Sequence, residues 1–409
     1  MKRWLVLFED SHWRRLRPLT DVVPVSELTF GASTLGARLV QATKLPLLAT
    51  EGRAGVRHAS RTIKPGLAAQ PAPDDAILAL NSAAVPGAWL EEVLATPGPL
   101  MFHTGDRVLG AAFEARVALD ALGRDQEFEN FLLARGFPVR ELSPKIVDYP
   151  WQLIEWNAGA IAEDLAAMSP ESLGTVHKQA VINGPARVRI EAGASVDALA
   201  VIDAREGPVW IGADVVVNPH TLVRGPCVVG AGTQLLGGVI ARSTIGPQCR
   251  LAGEVDECIW QGYANKRHHG FVGHSAIGEW VNLGALTTTS DLKNNYGTIR
   301  VWIDDREVES GVSKLGALIG AHVKTGIGTL LPTGASIGVG ANLFGGGRYV
   351  PKRVPAFTWW DGEQSVEHRL QPFLDTARIA MLRRDVGLAD ADRGLLVQLF
   401  EATQRERSD

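Results

Sequence analysis

Residues 211–235 read IGADVVVNPHTLVRGPCVVGAGTQL, with Ile211, Val217, Val223, Val229 and Leu235 at every sixth position. The same rhythm runs ahead of this stretch at Ile190, Val196 and Ile202 and after it at Ile277 and Leu283. It returns at Ile319, Leu331, Ile337 and Leu343, with Thr325 filling the step between the first two. A helix repeats its apolar positions every three or four residues and a half-buried strand every two, so this period belongs to neither. It fits a parallel β-helix, in which each hexad is one short side of a coil and its aliphatic residue points into a shared core. Glycine follows the aliphatic residue at 212, 230, 246, 278, 284, 320 and 338, where a tight corner favours a residue without Cβ. Three hexads make a coil, so residues roughly 18 apart lie above one another and one face is assembled from successive coils.

Outward from this block the text changes twice. Residues 1–175 mix short apolar runs, WLVLF and AILAL, with helical-looking stretches such as 111–123, the pattern of an α/β domain. Residues 176–354 form the β-helical segment, within which 247–270 interrupts the hexads as an insertion loop. Residues 355–409 contain SVEHRLQPFLDTARIAMLRRD and DADRGLLVQLFEATQRER, whose three- and four-residue spacing predicts amphipathic helices.

With 45% hydrophobic residues in 409, the chain is expected to be a soluble globular protein. A formal charge of −4 gives no general attraction to nucleic acid or anionic membrane. The apolar run near the N-terminus stops at Glu9 and Asp10, too soon for a signal peptide, and no segment is apolar enough to span a membrane. Cys227, Cys249 and Cys258 are odd in number and lack CxxC spacing. They are expected to be reduced, buried thiols of a cytoplasmic protein.

The stretch YANKRHHGFVGHSAIGEWVNLGA (263–285), with LKNNYG (292–297) and HVKTGIGTLLPTGASIG (322–338), resembles the hexapeptide-repeat acyltransferases. Those enzymes are left-handed β-helices that work as trimers. The domain order resembles bacterial bifunctional N-acetylglucosamine-1-phosphate uridyltransferase/glucosamine-1-phosphate acetyltransferase, and these marks are similar to those of a divergent branch of sugar nucleotidyltransferases. The resemblance implies a reduced nucleotide-diphospho-sugar transferase-like domain, a left-handed parallel β-helix and a helical tail.

In the family a histidine precedes Gly-x-x-x-Ile-Gly-x-x-Val-Asn-Ile-Gly-Ala and acts as general base on the acceptor amine. His268 takes that place, with Val281, Asn282, Gly284 and Ala285 on the pattern and Asn282 a substrate contact. Amine attack on a thioester calls for a proton acceptor with a pKa near neutrality, which imidazole supplies. His269 and His274 read as structural or solvated. Lys266 and Arg267 read either as phosphate ligands or as solubilising charges. The resemblance implies that Asn295 and Tyr296 orient substrate and donor, although Asn-Asn and Tyr-Gly are also turn chemistry. Arg224 and Arg242, one nominal coil apart, would clamp a phosphate or line a solvated edge. Acetyl-CoA would lie in a groove between subunits of a homotrimer, beside Gly316, Ala317, Thr333 and Lys352.

The N-terminal segment keeps RLRPLT (15–20), so Arg17 is the candidate phosphate contact there, with a stabilising salt bridge as its other reading. FEDSHWRR (8–15) replaces the glycine-rich loop that cradles a triphosphate, putting bulk and negative charge where an anion should sit. ILALNSAAVP (77–86) offers Asn81 and Ser82 where the family has a Mg²⁺-binding Asp, and Asp106 is the remaining substitute. Three functions follow: acetyl-CoA-dependent transfer to an amino sugar phosphate or nucleotide sugar; nucleotidyl transfer to a sugar 1-phosphate from UTP or dTTP with Mg²⁺; or a non-catalytic trimer that binds sugar nucleotides.

Overall fold

The computed structural model describes residues 2–53, 55, 56, 71–118, 122 and 128–407. Two compact units emerge: Met1–Leu16 with Val22–Leu28 and Ser33–Tyr149, and Arg17–Asp21 with Thr29–Ala32 and Pro150–Asp409.

The first unit is built on a six-stranded sheet ordered Leu47–Glu51, Arg3–Phe8, Ala76–Asn81, Arg107–Glu114, Leu100–Thr104 and Val139–Glu141. Its first three strands are parallel. Arg3–Phe8 is apolar nearly throughout because both faces are covered: Val6 and Phe8 enter one core, Leu5 and Leu7 the other. The helical reading of 111–123 fails at its start, where Ala111, Ala112 and Phe113 pair antiparallel with Ala79, Leu78 and Ile77. Burial in the sheet overrides the helix preference of alanine. Most of 119–127 lies outside the described residues.

The second unit is a parallel β-solenoid followed by helices. One side is a ten-stranded sheet running in chain order from Glu171–Ser172 to Arg353–Val354. Ile190, Ile211, Val229, Ile245, Trp260, Ile277, Ile319, Ile337 and Val354 stack along it, each on the next in register. All are buried in one core. A second side stacks Val196, Val217, Leu235 and Leu251. The aliphatic residues read as inward from the hexads are buried.

The expected interruption at 247–270 is absent. Arg250–Asp256, Ile259–Trp260, Asn265–Lys266 and Phe271–Gly273 form successive parallel sides, in coils shorter than the nominal repeat. The hexad count fails there because the corners lose residues while the strands keep their partners. The real excursion comes later. Ile277 pairs directly with Ile319, so one enlarged coil holds everything between them, including the hairpin Arg300–Ile303 with Arg306–Glu309.

Beyond the coils, helices Leu370–Leu382 and Asp390–Ala402 fulfil the amphipathic reading. The first buries Phe373, Leu374, Ala377 and Met381. Phe357, from the last coil, meets Phe373 at 5.0 Å and Phe400 at 5.2 Å, both edge to face.

Ile277 is the point on which the enlarged coil re-enters the stack. Ile277→Ala should destabilise the protein by about 2–5 kcal/mol, read from the denaturation midpoint.

Candidate functional site

Lys266 occupies an inward position on the second side, in register with Leu251 of the coil before. Its side chain is buried, and Nζ donates to the carbonyls of Ala252 at 2.7 Å and His268 at 3.0 Å. Burial pushes its pKa down to about 8. Lys266 is therefore turned away from any phosphate, contrary to the phosphate reading, because its long stem fills core space and its ammonium satisfies two corner carbonyls. One of those carbonyls belongs to His268, so the lysine fixes the backbone from which His268 projects. His268 itself is exposed and, among the described residues, makes no side-chain hydrogen bond or ion pair. Geometry leaves its imidazole available for proton transfer.

A second cluster forms on another corner, where Arg242, Glu257 and His274 come from successive coils, each with positive φ. His274 Nδ1 meets Asp291 Oδ2 at 2.8 Å and Nε2 meets Glu257 Oε2 at 3.2 Å. Arg242 pairs with Asp256 and with Glu257. Burial opposes a charged His274, but hydrogen bonds to Asp291 and Glu257 outweigh it and push its pKa up to about 9. The hydrogen bond to His274 leads the causes that draw Glu257 down to about 2. An imidazolium held between two carboxylates keeps its proton near neutrality and pins the base of the enlarged coil. Asp291 was missed in the sequence; its signal is that Arg242, Glu257, His274 and Asp291 follow one another at the shortened coil spacing.

The remaining candidates fall in several places. Arg224 pairs in register with Ala241, not Arg242, because the coil is short there; Arg242 is spent on its carboxylates. Asn282 accepts from Asn265 Nδ2 at 2.7 Å and lines a cleft beside Arg267. Asn295 and Tyr296 lie in the enlarged coil, whose base is joined to the His274 corner by the Leu315 N–H donating to the Asp291 carbonyl and the Gly316 N–H to that of His274. Asn295 Oδ1 accepts from Gly297 N at 3.1 Å, a turn closed by the side chain, and Tyr296 is 75% exposed. His268 lies on the corner between Asn265–Lys266 and Phe271–Gly273, not on the His274 corner to which the base of their segment is joined. Ala317 faces the core, and a Cβ on Gly316 would collide with the Gly273 carbonyl. Thr333 Oγ1 bonds Ser290 Oγ at 3.0 Å, and Lys352 approaches Glu307 at 3.7 Å. Arg17 meets Asp21 and Asp304 at 2.7 Å each and Glu406 at 3.1 Å, which raises its pKa despite burial. Three carboxylates already occupy its guanidinium, so the salt-bridge reading of Arg17 is the one the geometry supports.

In the first unit the replaced loop is structural. Glu9 accepts from the backbone N–H groups of Val25 and Arg53 and pairs with the Arg53 guanidinium. Asp10 accepts from Arg107 Nε at 2.7 Å and Asn81 Nδ2 at 2.8 Å. Although burial opposes it, bonds from His12, Arg107 and Asn81 hold that carboxyl well below the usual range. Ser82 is buried, and its backbone N–H donates to the Phe8 carbonyl. Asp106 forms no ion pair among the described residues. Among the described residues no three His, Cys, Asp or Glu side chains converge to hold a metal ion. Asp10 accepts from Asn81 and Arg107, and Asn81 is further bound to the Val108 carbonyl and the Ala83 N–H, so the two do not fit a Mg²⁺ site.

Residues 5–172 match the family model of sugar nucleotidyl transferases. The bifunctional sugar-1-phosphate nucleotidylyltransferase/acetyltransferase of Sulfurisphaera tokodaii is 31% identical over 200 residues, 48% of this chain and 44% of that protein. The bifunctional protein GlmU of Methanocaldococcus jannaschii is 29% identical over 195 residues, 47% of this chain and 41% of that protein. The chain thus spans less than half the length of these relatives. UDP-N-acetylglucosamine acyltransferase from Campylobacter jejuni aligns over 56% of this chain and 82% of its own at 14% identity, with a TM-score of 0.21, too loose to bear on the site.

Because the folded pKa of His274 lies above its ordinary 6.5, its contribution to stability is full below about pH 6.5 and is lost as pH rises through about 9. The stability gap between wild type and His274→Gln should close over that window. An NMR titration of the imidazole should move toward the ordinary value in Asp291→Asn.

Proposed function

We propose that the solenoid carries acyl transfer from acetyl-CoA to the amine of an amino sugar phosphate or nucleotide sugar, in a homotrimer. The observation that carries the reading is His268: exposed, without a side-chain partner among the described residues, on a corner whose backbone carbonyl is bound by Lys266. In this reaction the amine nitrogen attacks the thioester carbonyl as His268 takes its proton. The C–S bond then breaks, and the CoA thiolate leaves and is protonated. A fixed corner supports this step, since general-base catalysis depends on holding the imidazole within hydrogen-bond reach of the amine. The name of the Sulfurisphaera tokodaii relative, which joins nucleotidyl and acetyl transfer, favours the same chemistry.

A second reading is favoured by the family match over 5–172: transfer of a nucleotidyl group from UTP or dTTP to a sugar 1-phosphate. Glu9, Asp10 and Asn81 are already committed to protein partners, so this reading rests on the match alone. We also assign the chain to the cytoplasm, supported by three free, buried cysteines, whose thiols burial raises.

Release of CoA thiol from acetyl-CoA with amino sugar phosphates tests the first reading. His268→Ala should lower the rate by about 10²-fold or more; equal rates would contradict the role of His268. Pyrophosphate release from sugar 1-phosphates with UTP or dTTP and Mg²⁺ tests the second.

A further inference from the structure

The helix Leu370–Leu382 and the residues after it close one side of a cleft whose other wall is the second side of the solenoid. The cleft has a volume of about 400 Å³, within the usual range of small-molecule sites. Arg250 and Arg267 line it from the coils, Arg383 and Arg384 from the end of the helix, and Lys324 from a later coil. No carboxylate is among the lining residues, and among the described residues none of the four arginines forms a salt bridge.

Arg250 Nη1 donates to the carbonyls of Gly232, Gln248 and Cys249, which fixes that guanidinium at the wall without neutralising it, and no acid of the lining answers the charge of the four. Burial lowers the pKa of Arg250 and of Arg384, and neighbouring arginines lower both further. Two buried donors are also without partners: Arg384 Nε and the indole N–H of Trp280, which is 4% exposed and lines the same cleft. Buried donors of this kind are ordinarily satisfied, so both are available to an acceptor in the cleft. Trp280 is held rigidly, with the Tyr263 ring stacked on it at 4.3 Å. Asn282, hydrogen-bonded to Asn265, adds amide groups to the wall, and Arg267 directly precedes His268.

We infer that this cleft binds a ligand through two linked phosphates, the guanidiniums of Arg250, Arg267, Arg383 and Arg384 supplying the charge and the Trp280 N–H a further donor. Guanidinium forks match phosphate oxygens bidentately, and one phosphate is too small to neutralise a cluster drawn from both walls. A nucleoside diphosphate and CoA both carry this group. Binding requires no transfer chemistry, so the inference stands or falls separately from the role of His268.

The test is calorimetry on the full chain with inorganic pyrophosphate, UDP, CoA and orthophosphate, alongside thermal melting. Pyrophosphate should bind tighter than orthophosphate, less so at high salt. Stronger binding of UDP or of CoA identifies which source the cleft accepts; equal binding of both identifies the diphosphate alone as the feature recognised. Arg267→Met/Arg384→Met should weaken pyrophosphate roughly tenfold or more. Without ligand this variant should melt at or above the wild-type temperature, because like charges have been removed, a result that misfolding cannot imitate. His268→Ala should bind as wild type. Absence of binding by pyrophosphate, UDP and CoA alike, equal affinity for orthophosphate and pyrophosphate, or unchanged affinity in the double variant would overturn the inference.

Discussion

Each coil must set its inward side chain on that of the coil below, and this stacking constraint governs everything else in the solenoid. Strand partners are kept even where the coil length changes, from Val229 to Ile245 to Trp260 and from Ile277 across the enlarged coil to Ile319. The corners absorb the difference. One of them takes positive φ in coil after coil, at Asp214, Gly232, Gln248, Tyr263, Trp280, His322, Gly340 and Phe357. Such backbone is uncommon for residues other than glycine and persists where packing on both sides enforces it. It also lines up Tyr263, Trp280 and His322 as a stack of rings.

The same constraint makes chemistry out of residues far apart in sequence. Coils that shorten between Leu235 and Ile277 bring Arg242, Glu257 and His274 onto one corner, and the start of the enlarged coil adds Asp291 above them. On the second side the constraint admits a lysine, Lys266, in register with the aliphatic Leu251. Lys266 fills the core with its stem and holds two carbonyls with its ammonium. A neutral residue of similar size would leave both carbonyls without that donor, and buried acceptors left unpaired are costly. The histidine that follows two residues later is thereby carried on a stiffened backbone.

The aliphatic hexads made the solenoid legible before any coordinates, since Ile211, Val217, Val223, Val229 and Leu235 are all inward and buried. The period was least informative where coil length varied. Residues 247–270 read as a loop because a fixed repeat cannot see that corners contract, and Arg224 was matched to Arg242 for the same reason. The Lys266 reading failed because a lone lysine beside histidines looks solvated, whereas its orientation is set by a strand register that only pairing with Leu251 reveals. Alanines 111 and 112 carry a helical preference that sheet pairing overrules. The arginine cleft was invisible because Arg250 and Arg267 meet Arg383 and Arg384 only after the tail helix folds back on the coils.

The central claim is that the coils are continuous through 247–270, so that His268 stands on a rigid corner. Native-state hydrogen exchange measures this directly, by comparing amides of Arg250–Asp256 and Phe271–Gly273 with those of Val209–Ile211 and Ala335–Ile337. The account predicts comparable protection in all four segments, with the slowest amides exchanging only on global unfolding. Fast exchange confined to the first two, while the others stay protected, would contradict it.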